Sequence, residues 1–87
     1  MANAQQTRIR YSDRIVRDRQ VCGGQPVCKG TRVTLRTVLA SLADGDPVEA
    51  ILSEFPTLKP EDIRAAIAFA AASAEEDIPV PAIPDVR

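Results

Sequence analysis

One stretch, Gly23-Gly24-Gln25-Pro26-Val27-Cys28-Lys29-Gly30-Thr31-Arg32-Val33, constrains this chain more than any other. Its glycines and proline stand among β-branched residues and two cations. Consecutive glycines mark a turn or a close backbone approach. Pro26 fixes φ and has no N–H, which suits a sheet edge or the first residue of a strand. Val27-Cys28 and Thr31-Arg32-Val33 flank Lys29-Gly30 at the spacing of a tight hairpin, with Gly30 supplying positive φ. Residues 1–12 are polar and aperiodic and read as a flexible basic arm. Ile15-Val16 is a short β-favouring pair ahead of the glycines, so the β-hairpin segment is placed at 13–33.

From Thr34 the apolar period becomes helical. Thr34 is a candidate N-cap, and Leu35, Val38, Leu39 and Leu42 fall at i, i+3, i+4 and i+7 of a helix that runs to Asp44 and closes at Gly45. Asp46-Pro47-Val48-Glu49 reads as a capping acid, Pro at N1 and Glu at N3 of a second helix, with apolar positions Val48, Ile51, Leu52 and Phe55. Pro56 ends it. A third helix is expected from Pro60 to about Glu76, with Glu61 and Asp62 complementing its dipole. Ile63, Ala66, Ile67, Ala70, Ala71 and Ala74 are read as its inner face, with Phe69 to one side. The expected fold is mostly α with a small N-terminal β-hairpin, its residues 34–76 forming a three-helix, helix-turn-helix-like unit.

The last segment, 77–87, is proline-rich and apolar. Pro79, Pro81 and Pro84 exclude a helix or a central strand, and Ile78, Val80, Ile83 and Val86 are more apolar than a linker. Either the tail folds back on its own domain or these four residues dock in a groove of a partner chain.

Net charge is −1, but it is unevenly placed. Residues 1–36 hold eight Lys or Arg against two Asp, a net +6, and residues 37–87 hold three against ten acids, a net −7. That asymmetry points to a basic face meeting a polyanion, or meeting the acidic face of another chain. With Tyr11, Phe55 and Phe69 as its aromatics, the chain lacks the stacking platforms of a single-strand binder. The candidate DNA contacts are Arg14, Arg17, Lys29, Arg32, Arg36, Lys59 and Arg64. The third helix offers no Asn or Gln near its start to read adenine, so phosphate contacts are expected to dominate. Arg32 faces either a phosphate or an acid of its own fold such as Glu49.

Catalysis finds no support in the residue types. There is no His, no Ser or Cys with a base nearby, and no Gly-Lys-Ser/Thr phosphate loop. Cys22 and Cys28 cannot complete a zinc site, so no metal and no cofactor are expected. No leader-like or membrane-spanning apolar run is read, which favours reduced structural thiols and a cytoplasmic, non-membrane protein. A redox sensor built on the two cysteines is the weaker reading. At this size a second copy is a natural source of burial, and the edge of the short hairpin is a candidate homodimer contact.

At Gly24-Gln25-Pro26-Val27-Cys28-Lys29-Gly30-Thr31-Arg32-Val33 the chain resembles the bacterial domain of unknown function 433 family, whose pattern reads roughly Gly-x-Pro-x-hydrophobic-x-Gly-Thr-Arg-hydrophobic. The likeness continues through Gly45, Val48-Glu49-x-Ile51, Phe55-Pro56-x-Leu58 and Glu61-Asp62-Ile63-x-Ala65-Ala66, over about residues 14–74. Two positions depart from it. Lys59 replaces a capping Thr or Ser, leaving Thr57 as the alternative cap, and Cys28 replaces a large aliphatic. The resemblance implies a hairpin followed by a helix-turn-helix-like unit. It also implies an antitoxin similar to VapB-like antitoxins, which represses its own operator DNA and neutralises a PIN-like nuclease toxin. The alternative is a protein-interaction module that does not touch DNA.

Overall fold

The computed structural model describes residues 10–76 and 82–86. A two-stranded antiparallel sheet near the N-terminus packs against the first and third of three helices, and the second helix packs on those two. The strands are β1 (Ile15–Arg17) and β2 (Pro26–Cys28), with Ile15 opposite Cys28, Val16 opposite Val27 and Arg17 opposite Pro26. This corrects the expected pairing: the partner of Val27-Cys28 is Ile15-Val16, not Thr31–Val33. The Lys29-Gly30 turn forms, with Gly30 at φ 81° and the Thr31 N–H donating to the Cys28 carbonyl. The returning segment, however, reaches β2 through only one β-bridge, Val27 to Thr34. The Thr31 hydroxyl donates to the Cys28 carbonyl and accepts from the Val33 N–H. Helix α1 then begins at Leu35, leaving no length for a further strand.

Residues 18–25 connect β1 to β2. Asp18 opens this loop, its Oδ1 accepting from the Gln20 N–H and its carbonyl from the Val21 N–H. Cys22, Gly23 and Gly24 then stand in succession at φ 50°, 65° and 84°. A left-handed residue with a side chain costs roughly 1–2 kcal/mol, so all three positions favour glycine and two of them hold it. Cys22 carries that conformation with its thiol donating to the Arg32 carbonyl at 3.2 Å, which ties the loop to the Lys29–Arg32 turn.

The three helices are α1 (Leu35–Ala43), α2 (Val48–Glu54) and α3 (Pro60–Glu76). Thr34 caps α1, its hydroxyl accepting from the Thr37 N–H. At the other end Gly45, at φ 87°, donates to the Leu42 carbonyl and Asp46 to the Ser41 carbonyl, the paired bonds of a Schellman motif. Gly45→Ala is therefore expected to lower stability by about 1 kcal/mol, read as a reduced urea midpoint at unchanged slope. Asp46 does not cap α2. Pro47 is itself the flanking residue, extended at ψ 155°, and no side chain accepts at this N-terminus.

The start of α3 solves its missing cap differently. Lys59 offers no acceptor and Thr57 does not substitute. Instead the Asp62 carboxylate reaches back, Oδ2 accepting from the Lys59 N–H at 2.9 Å. This is the N3 half of a capping box. The face of α3 that turns inward agrees with the expected one at Ile63 and Ala66 and departs from it at Ile67, Ala70, Ala71 and Ala74, which are exposed. Asp62, Ile63, Ala65 and Ala66 are buried, Phe69 packs against the core, and Ile67 is 49% exposed. The Tyr11 ring, in a 3-10 turn at Tyr11–Asp13, meets Phe69 edge-on at 5.4 Å. That contact rotates the inner stripe onto 62, 65, 66 and 69, another i, i+3, i+4, i+7 set. Alanines at 65 and 66 let the helix approach closely. The core gathers Ile15, Cys28, Leu35, Val38, Ile51, Leu58 and Ile63 around them. Leu39, Leu42, Leu52 and Phe55 pack on it from the expected positions, whereas Val48 is 37% exposed.

Of the two alternatives for the tail, residues 82–86 take the first and fold back. The Arg17 N–H donates to the Pro84 carbonyl at 2.9 Å and the Val86 N–H to the Arg17 carbonyl at 2.8 Å, forming a parallel bridge between Arg17 and Asp85. The Tyr11 hydroxyl donates to the Ala82 carbonyl at 2.8 Å. Ile83 packs on its own core rather than presenting itself to a partner, while Val86 stays 49% exposed. Ile78 and Val80 lie outside the described residues.

Candidate functional site

The expected cations fall into two groups. Arg14 and Arg17 are built into the domain. Arg14 Nε donates to Asp62 Oδ1 at 2.8 Å, and the arginine side chain is 27% exposed against 1% for the aspartate. Asp62 thus accepts from both Arg14 and the Lys59 main chain, locking the start of α3 to the entry of β1. The hydrogen bond to Asp62 raises the Arg14 pKa above its ordinary value, burial opposing it. Arg17 turns Nη1 to the Gly24 carbonyl at 3.2 Å and gives its main chain to the tail.

Lys29, Arg32, Arg36, Lys59 and Arg64 are exposed. Among the described residues no ion pair engages Lys29 or Arg32, and the alternative of an Arg32–Glu49 pair is not realised. Lys29 and Arg32 instead border an open groove of about 480 Å³ whose other lining residues include Val16, Val21, Val27 and Val86. Thr57, in the connection between α2 and α3, borders it too. The groove lies on the sheet face turned from the helices. Successive strand residues point to opposite faces. Ile15 and Cys28 join the helical core, and the adjacent pair Val16 and Val27 does not. The turn that carries Lys29 and Arg32 is therefore brought beside the helix connection. Arg36 sits on the first turn of α1, Lys59 just before α3 and Arg64 on α3, none of them lining this groove.

Sequence reasoning missed Asp62 as a structural acid and the groove as a site. An acid at the third position after a residue that cannot cap was the available signal for the first. The valines carry none for the second, because Val16 pairs with Val27 across the loop of residues 18–25, beyond the reach of local turn signals.

The cysteines are free thiols, Cys22 partly exposed and Cys28 buried. Burial pushes the Cys28 thiol up from 9.0 to about 12. A thiol protonated in the folded state resists alkylation, since the thiolate is the nucleophile. Iodoacetamide on the native protein is expected to modify Cys22 and spare Cys28 until denaturant is added, as mass spectrometry would show. The sign of the linkage follows. Between pH 9 and about 12 the folded state holds the proton that the unfolded chain loses, so this contribution to stability falls as pH rises through that window. Wild type is expected to lose up to about 1.4 kcal/mol more per pH unit there than Cys28→Ala, compared by denaturant titration. Among the described residues no three His, Cys, Asp or Glu side chains gather as a metal site. Among the same residues no helix is long and apolar enough to cross a membrane.

Residues 15–70, from the first residue of β1 through most of α3, match the sequence profile of the family described as "Protein of unknown function (DUF433)". The chain belongs to this family. The DUF433 match includes the Lys29–Arg32 turn, the α2–α3 connection and Asp62, and leaves the folded-back tail outside it. The domain is also similar to the uncharacterized protein y4eO of Sinorhizobium fredii (strain NBRC 101917 / NGR234), 45% identical over 53 residues. That alignment takes in 61% of this chain and 24% of the relative, so the chain spans about a quarter of that protein. No solved structure matches this chain.

Proposed function

We propose that this DUF433 domain is the antitoxin of a type II toxin–antitoxin pair, a cytoplasmic homodimer that binds its operator DNA and neutralises a PIN-like nuclease. The reading as an antitoxin rests on the family resemblance. The observation that supports DNA binding is the exposed basic turn, Lys29 and Arg32, beside the connection between α2 and α3. With Arg36 these side chains supply phosphate contacts, which position a protein on a duplex without reading its sequence. Arg14 and Arg17 support the scaffold instead. Pairing through a free hairpin edge is not available to the dimer, because the tail covers β1 and Thr34 bridges β2. Ile67 and Val48, both exposed, offer a side-chain surface instead.

A binding module indifferent to DNA is the second reading, and the start of α3 favours it. Asp62 is turned inward, so Lys59, Glu61 and Arg64 are left outward there, a mixed-sign set poor at reading bases. The two readings separate experimentally. Co-expression with the neighbouring open reading frame is expected to copurify a small nuclease, and light scattering to report a dimer at micromolar concentration. A monomer, or no copurifying nuclease, contradicts the corresponding part of the proposal. A gel shift with the upstream DNA at low salt is expected under the first reading and absent under the second.

A further inference from the structure

The groove on the outer face of the sheet combines two features, apolar side chains and exposed cations. Its accessible apolar lining is Val21 from the connecting loop and Val86 from the tail, beside Val16 and Val27 of the strands, which are themselves buried at 6% and 2% exposure. Its rim carries Lys29 and Arg32, neither held by an ion pair among the described residues. Asp18 also borders the groove, but it is largely buried, with Oδ1 taken by the Gln20 N–H. Two exposed cations against that one carboxylate leave the lining with a net positive formal charge. Val86 leaves roughly half its surface uncovered there, at the end of a segment already held in extended form by two main-chain bonds to Arg17.

We propose that this groove is a docking site for an extended, acidic–aliphatic segment of a protein partner: branched apolar side chains against Val21 and Val86, flanking Asp or Glu at Lys29 and Arg32. Charge complementarity selects that occupant. An uncharged apolar strand would leave two cations desolvated without a counter-ion, which costs free energy. A purely acidic strand would gain only exposed ion pairs, worth about 0–1 kcal/mol each. The segment that satisfies both carries aliphatic residues between acids. The inference rests on the reading of this domain as a partner-binding protein and not on its binding DNA. It adds a consequence: Lys29 and Arg32 cannot serve the partner and a phosphate together, so an occupied groove competes with DNA.

The test uses the full chain and a fluorescein-labelled peptide, Glu-Glu-Val-Ile-Val-Glu-Glu, followed by anisotropy. Saturable binding is expected, weakened about tenfold by Val86→Asp and about tenfold by the double change Lys29→Ala with Arg32→Ala. These residues are exposed, so thermal melts of the variants are expected to stay close to wild type. Serine in place of the three apolar residues is expected to abolish binding. The proposal is overturned if no saturation is reached, or if the serine peptide binds equally well. It is equally overturned if Val86→Asp splits a dimer while the peptide fails to bind, since the groove is then a contact between copies of this chain. Peptide binding without any DNA binding removes the operator reading and leaves the groove standing. DNA binding without peptide binding does the reverse.

Discussion

Asp62→Ala is expected to bring the domain close to unfolding. The carboxylate is buried and accepts from two donors, Arg14 Nε at 2.8 Å and the Lys59 N–H at 2.9 Å. Breaking a buried pair by removing one partner costs about 3–5 kcal/mol. Arg14 is partly exposed and recovers some hydration, so the lower end applies, about 3 kcal/mol. The loss of the cap at α3 adds about 1 kcal/mol. A domain of this size has a total stability of about 5 kcal/mol, and little of it remains. Arg14→Ala isolates the ion pair, because it leaves Asp62 capping Lys59. A double-mutant cycle by urea denaturation is expected to show strong coupling between the two positions. Additive effects would mean that Asp62 acts as a cap alone.

Ending the chain at Pro81 is the second change with a large expected effect. It removes the two main-chain bonds to Arg17, the bond from the Tyr11 hydroxyl to Ala82, and the packing of Ile83 on the core. Three hydrogen bonds at about 1 kcal/mol each put the loss near 3 kcal/mol. That corresponds to a fall in Tm of about 15 °C for a domain of this length. The helices are expected to persist in far-UV circular dichroism at low temperature, because the tail adds only Ile83 to a core that the helices and the sheet otherwise build themselves. An unchanged Tm would mean that the tail contributes no net stability in solution.

The helical half was legible because its signals are local. Thr34 caps, Gly45 closes, and Leu35, Val38, Leu39 and Leu42 repeat at one helical period; each acts within a few residues of itself. The sheet was legible only in part. Val27-Cys28 was recognisable as strand from its β-branched and small residues, but its partner was not. Ile15–Arg17 lies nine residues upstream of Pro26, beyond a loop whose geometry depends on three successive left-handed residues. No adjacent-turn rule reaches that far.

The inner face of α3 was legible only at Ile63 and Ala66, for a related reason. Ile63, Ala66, Ile67, Ala70, Ala71 and Ala74 form a valid apolar stripe, and Asp62, Ala65, Ala66 and Phe69 have an equally valid helical spacing. Hydrophobicity favours the first because the second contains an acid. The choice is made by tertiary contacts, Arg14 on Asp62 and Tyr11 on Phe69, which periodicity cannot register. The same logic hid the distinction between Arg14 and Arg32. Both are arginines in a basic lead, and only the fold turns one inward and leaves the other at the mouth of the groove.

The measurement that bears most directly on the proposed function is the salt dependence of operator binding, taken by anisotropy on the full chain and on Lys29→Ala and Arg32→Ala. Each phosphate contact contributes a slope of about −0.9 to log K against log salt. A steep slope in the wild type, reduced by about one in each variant, is the predicted result. Slopes that are unchanged in both variants, or the absence of any salt-sensitive binding, would contradict it.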